Sequence, residues 1–210
     1  MVNRERKRKR RLNEGISMQE WDRYFRDLLG GAEGRVVMGA RKEGELEEEE
    51  EDIRREEVWE MVGKLREGTA MGSEGIPNEV WKFGGEMVKV WLWEVCNRMW
   101  KGERWPEDWR ERSIVPIGMK GKGKKVGDYR GVMLAQTAYK VYAAVLAERL
   151  RKEVEEKGLL PPREDGGVVR GLEGSFFDSV DRRILVEAMR KRGVREGLVM
   201  RCKELLRDAG

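Results

Sequence analysis

Histidine is absent from all 210 residues of the chain. That removes His-based general acid–base chemistry, Ser-His and Cys-His nucleophile pairs, and the usual His-containing zinc sites. Cysteine is nearly absent too: Cys96 sits in an apolar helical pattern and Cys202 near the C-terminus. Two such cysteines make no disulfide framework, and a reducing compartment fits them. Proline occurs only five times, so long helices are permitted over most of the length. No apolar run is long enough to span a bilayer, and the N-terminus lacks the apolar centre of a signal peptide. The expectation is an intracellular protein, nuclear or cytoplasmic, neither secreted nor membrane-bound.

What is present is charge. Charged residues make up 40% of the chain and hydrophobic ones 39%, so the supply of core is modest. Eight tryptophans raise it, because each buries a large area. The net charge of +4 hides segregation. Arg4 to Arg11 reads RERKRKRR, while Glu43 to Glu57 is acidic around Glu47 to Asp52. Such blocks are ordinarily solvated, and the basic one equally suits a nuclear address or a nucleic-acid contact. No internal repeat is found.

Helical periodicity dominates. Ser17 followed by Glu20 has the capping-box spacing and opens a helix to about Leu29, with Trp21 and Phe25 on its apolar face. A second helix is predicted from about Ile53 to Arg66, buried through Ile53, Val58, Met61, Val62 and Leu65. A third is predicted from about Asn78 to Lys101, with Val80, Phe83, Met87, Val90, Trp91 and Val95 as its stripe. A fourth, Gln136 to about Glu156, carries Ala138, Val141, Tyr142, Val145, Leu146, Leu150 and Val154 and stops at Gly158. Two short helices split by Gly193 close the chain. Asp178 or Asp181 could cap the first of them, near Arg182.

Between the third and fourth helices, Trp100 to Leu134 is the most informative stretch. Ser113 to Ile117 is β-prone, Gly118 to Gly127 is rich in Gly and Lys, and a second apolar run follows Asp128-Tyr129-Arg130. Two β-prone runs joined by a cationic loop predict a hairpin whose tip offers charge and backbone N–H groups to phosphate.

This stretch resembles the fingers of the reverse transcriptases of non-LTR (LINE-type) retrotransposons. The matching residues, in order, are Trp100, Gly102, Pro106, Trp109, Pro116, Ile117, Lys120, Gly121, Tyr129, Arg130, Gly131, Val132, Lys140, Arg149 and Leu150. The helix with Trp21, Tyr24, Phe25, Leu28 and Leu29 resembles one preceding that family's polymerase domain. Gly72, Gly75, Ile76 and Pro77 preserve the skeleton of a family loop in which Glu74 replaces Asp and Met71 replaces Pro.

The resemblance implies a mainly α fold with a small β component, a partial fingers and palm fragment. It implies a basic tail over 1–16, a short helix over 17–29 and an acidic linker over 30–52. Fingers-like helices and the basic hairpin would occupy 53–157, and a truncated palm remnant 158–210. By the same resemblance, Lys120, Lys122 and Arg130 would meet the phosphates of a nucleotide or nucleic acid. Phe177 would be the aromatic that contacts the sugar. Solvated loop residues and a packed core aromatic are the bland alternatives for these positions.

The family moves a nucleotidyl group with Mg²⁺ held by carboxylates. Its metal-binding Asp precedes a Phe-Asp-Ser-Val-Asp-Arg string, which here is Phe177 to Arg182. The Asp position falls on Leu172, or on Gly171 after a one-residue insertion. Neither holds a metal, and Glu173 is one residue out of register, on the other face of a strand. The family's later Ala-Asp-Asp hairpin falls beyond Gly210. The expectation is therefore a degenerate RNA-directed DNA polymerase fragment with no catalytic residue, no metal site and no cofactor of its own. Its partner would be RNA or DNA, bound without regard to sequence. An interaction module or inert relic is the remaining alternative, with apolar faces at Trp91, Val141 and Val145 stranded by the loss of a palm.

Overall fold

The structure, a computed structural model, describes residues 13, 15–29, 51–103, 106, 109, 113–119, 123–159 and 181–208. Among them are seven α-helices and one two-stranded sheet: α1 (Met18–Leu29), α2 (Arg55–Gly63), α3 (Asn78–Phe83), α4 (Glu86–Trp100), β1 (Ser113–Gly118), β2 (Tyr129–Leu134), α5 (Thr137–Glu156), α6 (Arg182–Lys191) and α7 (Glu196–Asp208). The architecture is mainly α with a small antiparallel β component, as the sequence implies.

The main core is shared by α2, α4, α5 and the α6–α7 pair. Ile53, Val58, Met61 and Val62 meet Leu92, Cys96, Met99 and Trp100, the α5 face from Ala138 to Leu146, and Val186, Leu198 and Val199. The core therefore runs across the boundary expected near residue 157. Among the described residues no helix is long and apolar enough to cross a membrane. Cys96 and Cys202 are free and buried, and burial pushes the Cys96 thiol up to about 12.

Helix α5 fulfils its pattern. Gly158, at φ 61°, ends it by accepting a backbone conformation that side chains resist. Val141 and Val145 are fully buried within the core, so the expectation that they are stranded is wrong: α2 and α7 cover them.

The third predicted helix is corrected twice. It is two helices, broken at Gly84 and Gly85, where Gly85 takes φ 86°. Most of its stripe also faces away from the core, although Val95 packs against it. Phe83, Met87 and Trp91 are 66%, 81% and 52% exposed, while Leu92, Cys96, Asn97, Met99 and Trp100 are buried. Helix α4 is apolar on most sides, so periodicity alone offers two stripes. Polar anchors decide between them. The Asn97 side chain pairs with both backbone groups of Ile53, accepting its N–H at 2.8 Å and donating to its carbonyl at 2.9 Å. Trp93 Nε1 donates to the same carbonyl at 2.7 Å. Turning the helix would leave these buried backbone groups unpaired.

The Gly72–Pro77 loop fixes the start of α5. Glu74 accepts the Thr137 N–H at 2.8 Å, and the Thr137 hydroxyl donates to Asn78 Oδ1 at 3.1 Å. A Cβ on Gly72 would lie 2.7 Å from the Ala135 carbonyl oxygen, so only glycine lets the loop come this close. Gly75 supplies a positive φ of 68°.

Trp100, at the end of α4, is 1% exposed and has two guanidinium groups over its ring. Arg149 of α5 sits 4.4 Å from its ring centroid and Arg201 of α7 sits 4.1 Å away. Arg149 also binds Glu57 of α2 through two nitrogens, at 2.8 and 2.7 Å, and donates to the carbonyls of Glu51 and Asp52. Arg201 donates to the carbonyls of Trp100 and Gly197. Burial pushes the Glu57 carboxyl up, but its bonds to Arg149 and the Arg54 backbone outweigh this and hold it below its ordinary value.

Trp100→Ala is expected to cost about 3–5 kcal/mol in urea unfolding, the range for deleting a buried aromatic. Glu103→Ala, which breaks an exposed pair with Arg98, should cost under about 1 kcal/mol. Equal costs would show that the Trp100 cluster is not the keystone. Because the folded Glu57 carboxyl is depressed, its contribution is present above the ordinary value of 4.5 and is lost as pH falls through the lower folded value.

Candidate nucleic-acid interface

β1 and β2 pair in register Ser113–Leu134 through Gly118–Tyr129, with Ile117 opposite Arg130 and Val115 opposite Val132. Residues paired across strands share a face. One face, carrying Ile114, Gly131 and Tyr129, lies under α1. There Trp21 stacks on Phe25 at 5.8 Å and meets Tyr129 edge-on at 4.8 Å. Phe25 presses on Gly131, where a Cβ would lie 2.6 Å from the ring. Ser17 and Glu20 cap α1 reciprocally, as their spacing predicts. An isolated two-stranded ribbon is marginal in water, and α1 gives it an apolar support.

The other face is open. Val115 and Ile117 are exposed there, and Arg130 is exposed opposite Ile117. Lys124 and Lys125 are exposed at the tip. The structure thus brings Arg130 onto the same ribbon as Lys124 and Lys125 of the cationic loop. Lys120, Lys122 and Phe177 lie outside the described residues, as do Gly171, Leu172 and Glu173. Asp181 caps α6 by accepting the Arg183 N–H at 2.8 Å, one of the two caps considered from sequence.

The tip differs from expectation in one respect. Among its described residues, the backbone N–H groups of Gly123, Lys124 and Lys125 are occupied. Asp128 Oδ2 accepts from Gly123 at 3.2 Å, Lys124 at 2.9 Å and Lys125 at 3.2 Å. The N–H groups of Lys125 and Lys124, then that of Gly123, hold the Asp128 carboxyl below its ordinary range. A carboxylate already fills the concavity that a phosphate would need. Among the described residues of the ribbon, attraction for an anion falls to the side chains of Lys124, Lys125 and Arg130.

Sequence reading also missed Asn13, which lies in the segment expected to be tail. Its side chain donates to the carbonyls of Gly123 and Lys124, and its N–H donates to the Tyr129 hydroxyl. No local signal marks this contact, because its partners stand more than a hundred residues away. The Asp128 lock was legible in principle: a carboxylate three residues after Lys125 has the spacing of a cap.

Among the described residues no three His, Cys, Asp or Glu side chains gather as a metal ion would need. At the position where the resemblance requires a metal-binding carboxylate, Gly171 and Leu172 offer no side-chain oxygen. Mg²⁺ does not fit that donor set. No protein-family model matches the chain, and no curated protein matches it.

Asp128→Asn should speed hydrogen exchange at the amides of Lys124 and Lys125 by about tenfold or more, since a charged acceptor is replaced by a weaker one. The unmodified chain should show the same loosening only when acid protonates Asp128, below its ordinary value of 3.8. Unchanged exchange in both experiments would remove the lock from the account.

Proposed function

We propose that the chain is a fingers-type remnant of a non-LTR reverse transcriptase that binds nucleic acid without sequence preference and does not polymerise it. The observation that carries this reading is the hairpin. A Pro-Ile strand and a Tyr-Arg-Gly strand pair across a lysine-bearing tip, and a long helix ending in Arg149-Leu150 follows. The ordered motif string supports descent from such a polymerase. The lysines at the tip and the exposed Arg130 support the retained affinity.

The chemistry of each group defines its part. Lys124 and Lys125 present mobile point charges that suit phosphates at varied positions. Arg130 adds a planar fork able to take two phosphate oxygens, or to lie against an unpaired base. Ile117 beside it gives an apolar surface of the kind a base face covers. None of these groups reads the edges of paired bases, so the binding is indifferent to sequence. The missing carboxylate at Gly171 or Leu172 removes the means of holding the attacking and leaving oxygens.

Primer extension on an RNA template with Mg²⁺ or Mn²⁺ should give no incorporation above a control lacking the protein. Templated incorporation would overturn the loss of polymerisation. Fluorescence anisotropy with a labelled single-stranded oligonucleotide tests the binding. Affinity should fall on the order of one log unit or more between about 50 and 200 mM salt. Lys124→Ala combined with Arg130→Ala should flatten that dependence. Binding indifferent to salt, or to the double variant, would contradict the assignment of the site.

A further inference from the structure

We infer that the chain pairs with a second copy of itself, the exposed face of α4 in each protomer receiving α6 of the other. The inference goes beyond nucleic-acid binding and uses neither the ribbon nor its lysines.

Two surfaces carry it. On the first, Met87 and Trp91 lie one turn apart on α4 and both are exposed. Phe83, at the end of α3, is exposed just before them. Glu94 continues the line of Met87 and Trp91 and is exposed too. Trp91 is held in place, because Trp81 stacks on it with ring centroids 5.9 Å apart. An aromatic anchor that is ordered before it docks loses little freedom on docking. On the second surface, α6 turns Val186 and Met189 into the core and leaves Ile184 65% exposed, with Leu185 exposed beside it. Ala188 and Lys191 follow Ile184 on one side of the helix, and both are exposed.

The surfaces match in pattern and oppose in charge. Each helix presents two apolar residues one turn apart and then a charge one turn further on, an acid on α4 and a base on α6. Laid side by side in the same direction, Met87 meets Ile184, Trp91 lies over the small Ala188, and Glu94 reaches Lys191. A large residue opposite a small one lets two helices approach closely. The nearby cations of the α4 face are already taken, Lys82 by Glu67 and Arg98 by Glu103. On α6, Arg183 pairs with Asp181 and Arg190 with Glu196. Among the described residues, Glu86, Glu94 and Lys191 have no ion-pair partner. The acids left over beside Met87 and Trp91 repel a polyanion and favour a basic helix. Apolar patches of this kind mark sites of association. One such contact is small, but a reciprocal pair makes it twice and covers on the order of 1,000 Å², the lower bound of a specific interface. Two-fold closure leaves neither face open to further addition.

The test is sedimentation equilibrium of the nuclease-treated full chain at about 1 to 100 μM, the range suited to a small interface. The unmodified chain should show a reversible monomer–dimer equilibrium that stops at the dimer. Met87→Glu and Ile184→Glu replace exposed side chains, so the core is untouched, and each should weaken pairing by about tenfold or more. Glu94→Lys and Lys191→Glu should each weaken it by about fivefold, since the lost pair occurs twice. An equal mixture of these two charge variants should pair as tightly as the unmodified chain. In the mixed dimer one contact is intact and the other has its charges exchanged.

A chain that stays monomeric throughout would overturn the inference. So would growth beyond the dimer, or a mixture that pairs no better than either charge variant alone. Loss of pairing in Met87→Glu but not in Ile184→Glu would show that α4 meets some surface other than α6, which also contradicts it.

Discussion

Two guanidinium groups lie over the indole of Trp100, and four helices meet through these contacts. Trp100 closes α4, Arg149 comes from α5, Arg201 comes from α7, and Arg149 reaches on to Glu57 in α2. A guanidinium over an indole gains most when both are out of water. Burying the cations is tolerable because their donors are met by Glu57 and by backbone carbonyls. A chain with a high charge load and a modest apolar supply thus recruits arginine into its interior. Glu153 does a similar job one turn further along α5: it is buried and accepts from Lys157 and from the backbone and side chain of Arg195. The core is closed by polar ties where apolar area alone is thin.

The hairpin stands apart from this core and depends on different contacts. Trp21, Phe25 and Tyr129 form a second, smaller cluster. Gly131 makes room for Phe25, Asp128 folds the tip, and Asn13 ties the tip to the lead-in of α1. The exposed cations therefore sit on an ordered ribbon with one supported face and one open one. This division suits a binding role, since the helical core can carry the ribbon without being rebuilt when a ligand engages it. The motif string spans the end of α4, the ribbon and α5. Gly171 and Leu172, where the resemblance calls for a metal-binding carboxylate, offer none.

Much of the fold was legible in the sequence where one local signal had one reading. Ser17 and Glu20 announce α1, the face of α5 from Ala138 to Leu146 is unambiguous, and Gly158 and Gly193 mark stops. The ribbon was legible from its β-prone runs and from the loop between them. The failures share a cause. In α4 nearly every side is apolar, so the buried face was set by the pairing of Asn97 with Ile53, forty-four residues earlier. Val141 and Val145 were read against a missing palm, whereas α2 and α7 fill that space. Arg149 read only as the end of a motif, although its aromatic and acidic partners make it central. Arg130, singled out in the sequence, lies exposed on the ribbon. The contribution of Lys124 and Lys125 depends on a loop shape that Asp128 dictates, and the place of Asn13 depends on contacts across the whole chain.

Native-state hydrogen exchange resolved by residue tests the central claim most directly, namely that an Arg–Trp–Arg-closed helical core stands by itself and carries the ribbon as a separate unit. The amides of α2, α4, α5 and α7 should exchange slowest and with one common opening free energy. Those of α1 and the two strands should form a second, less protected group that opens together. Strand amides as protected as those of α5, or α4 opening independently of α5, would contradict the account.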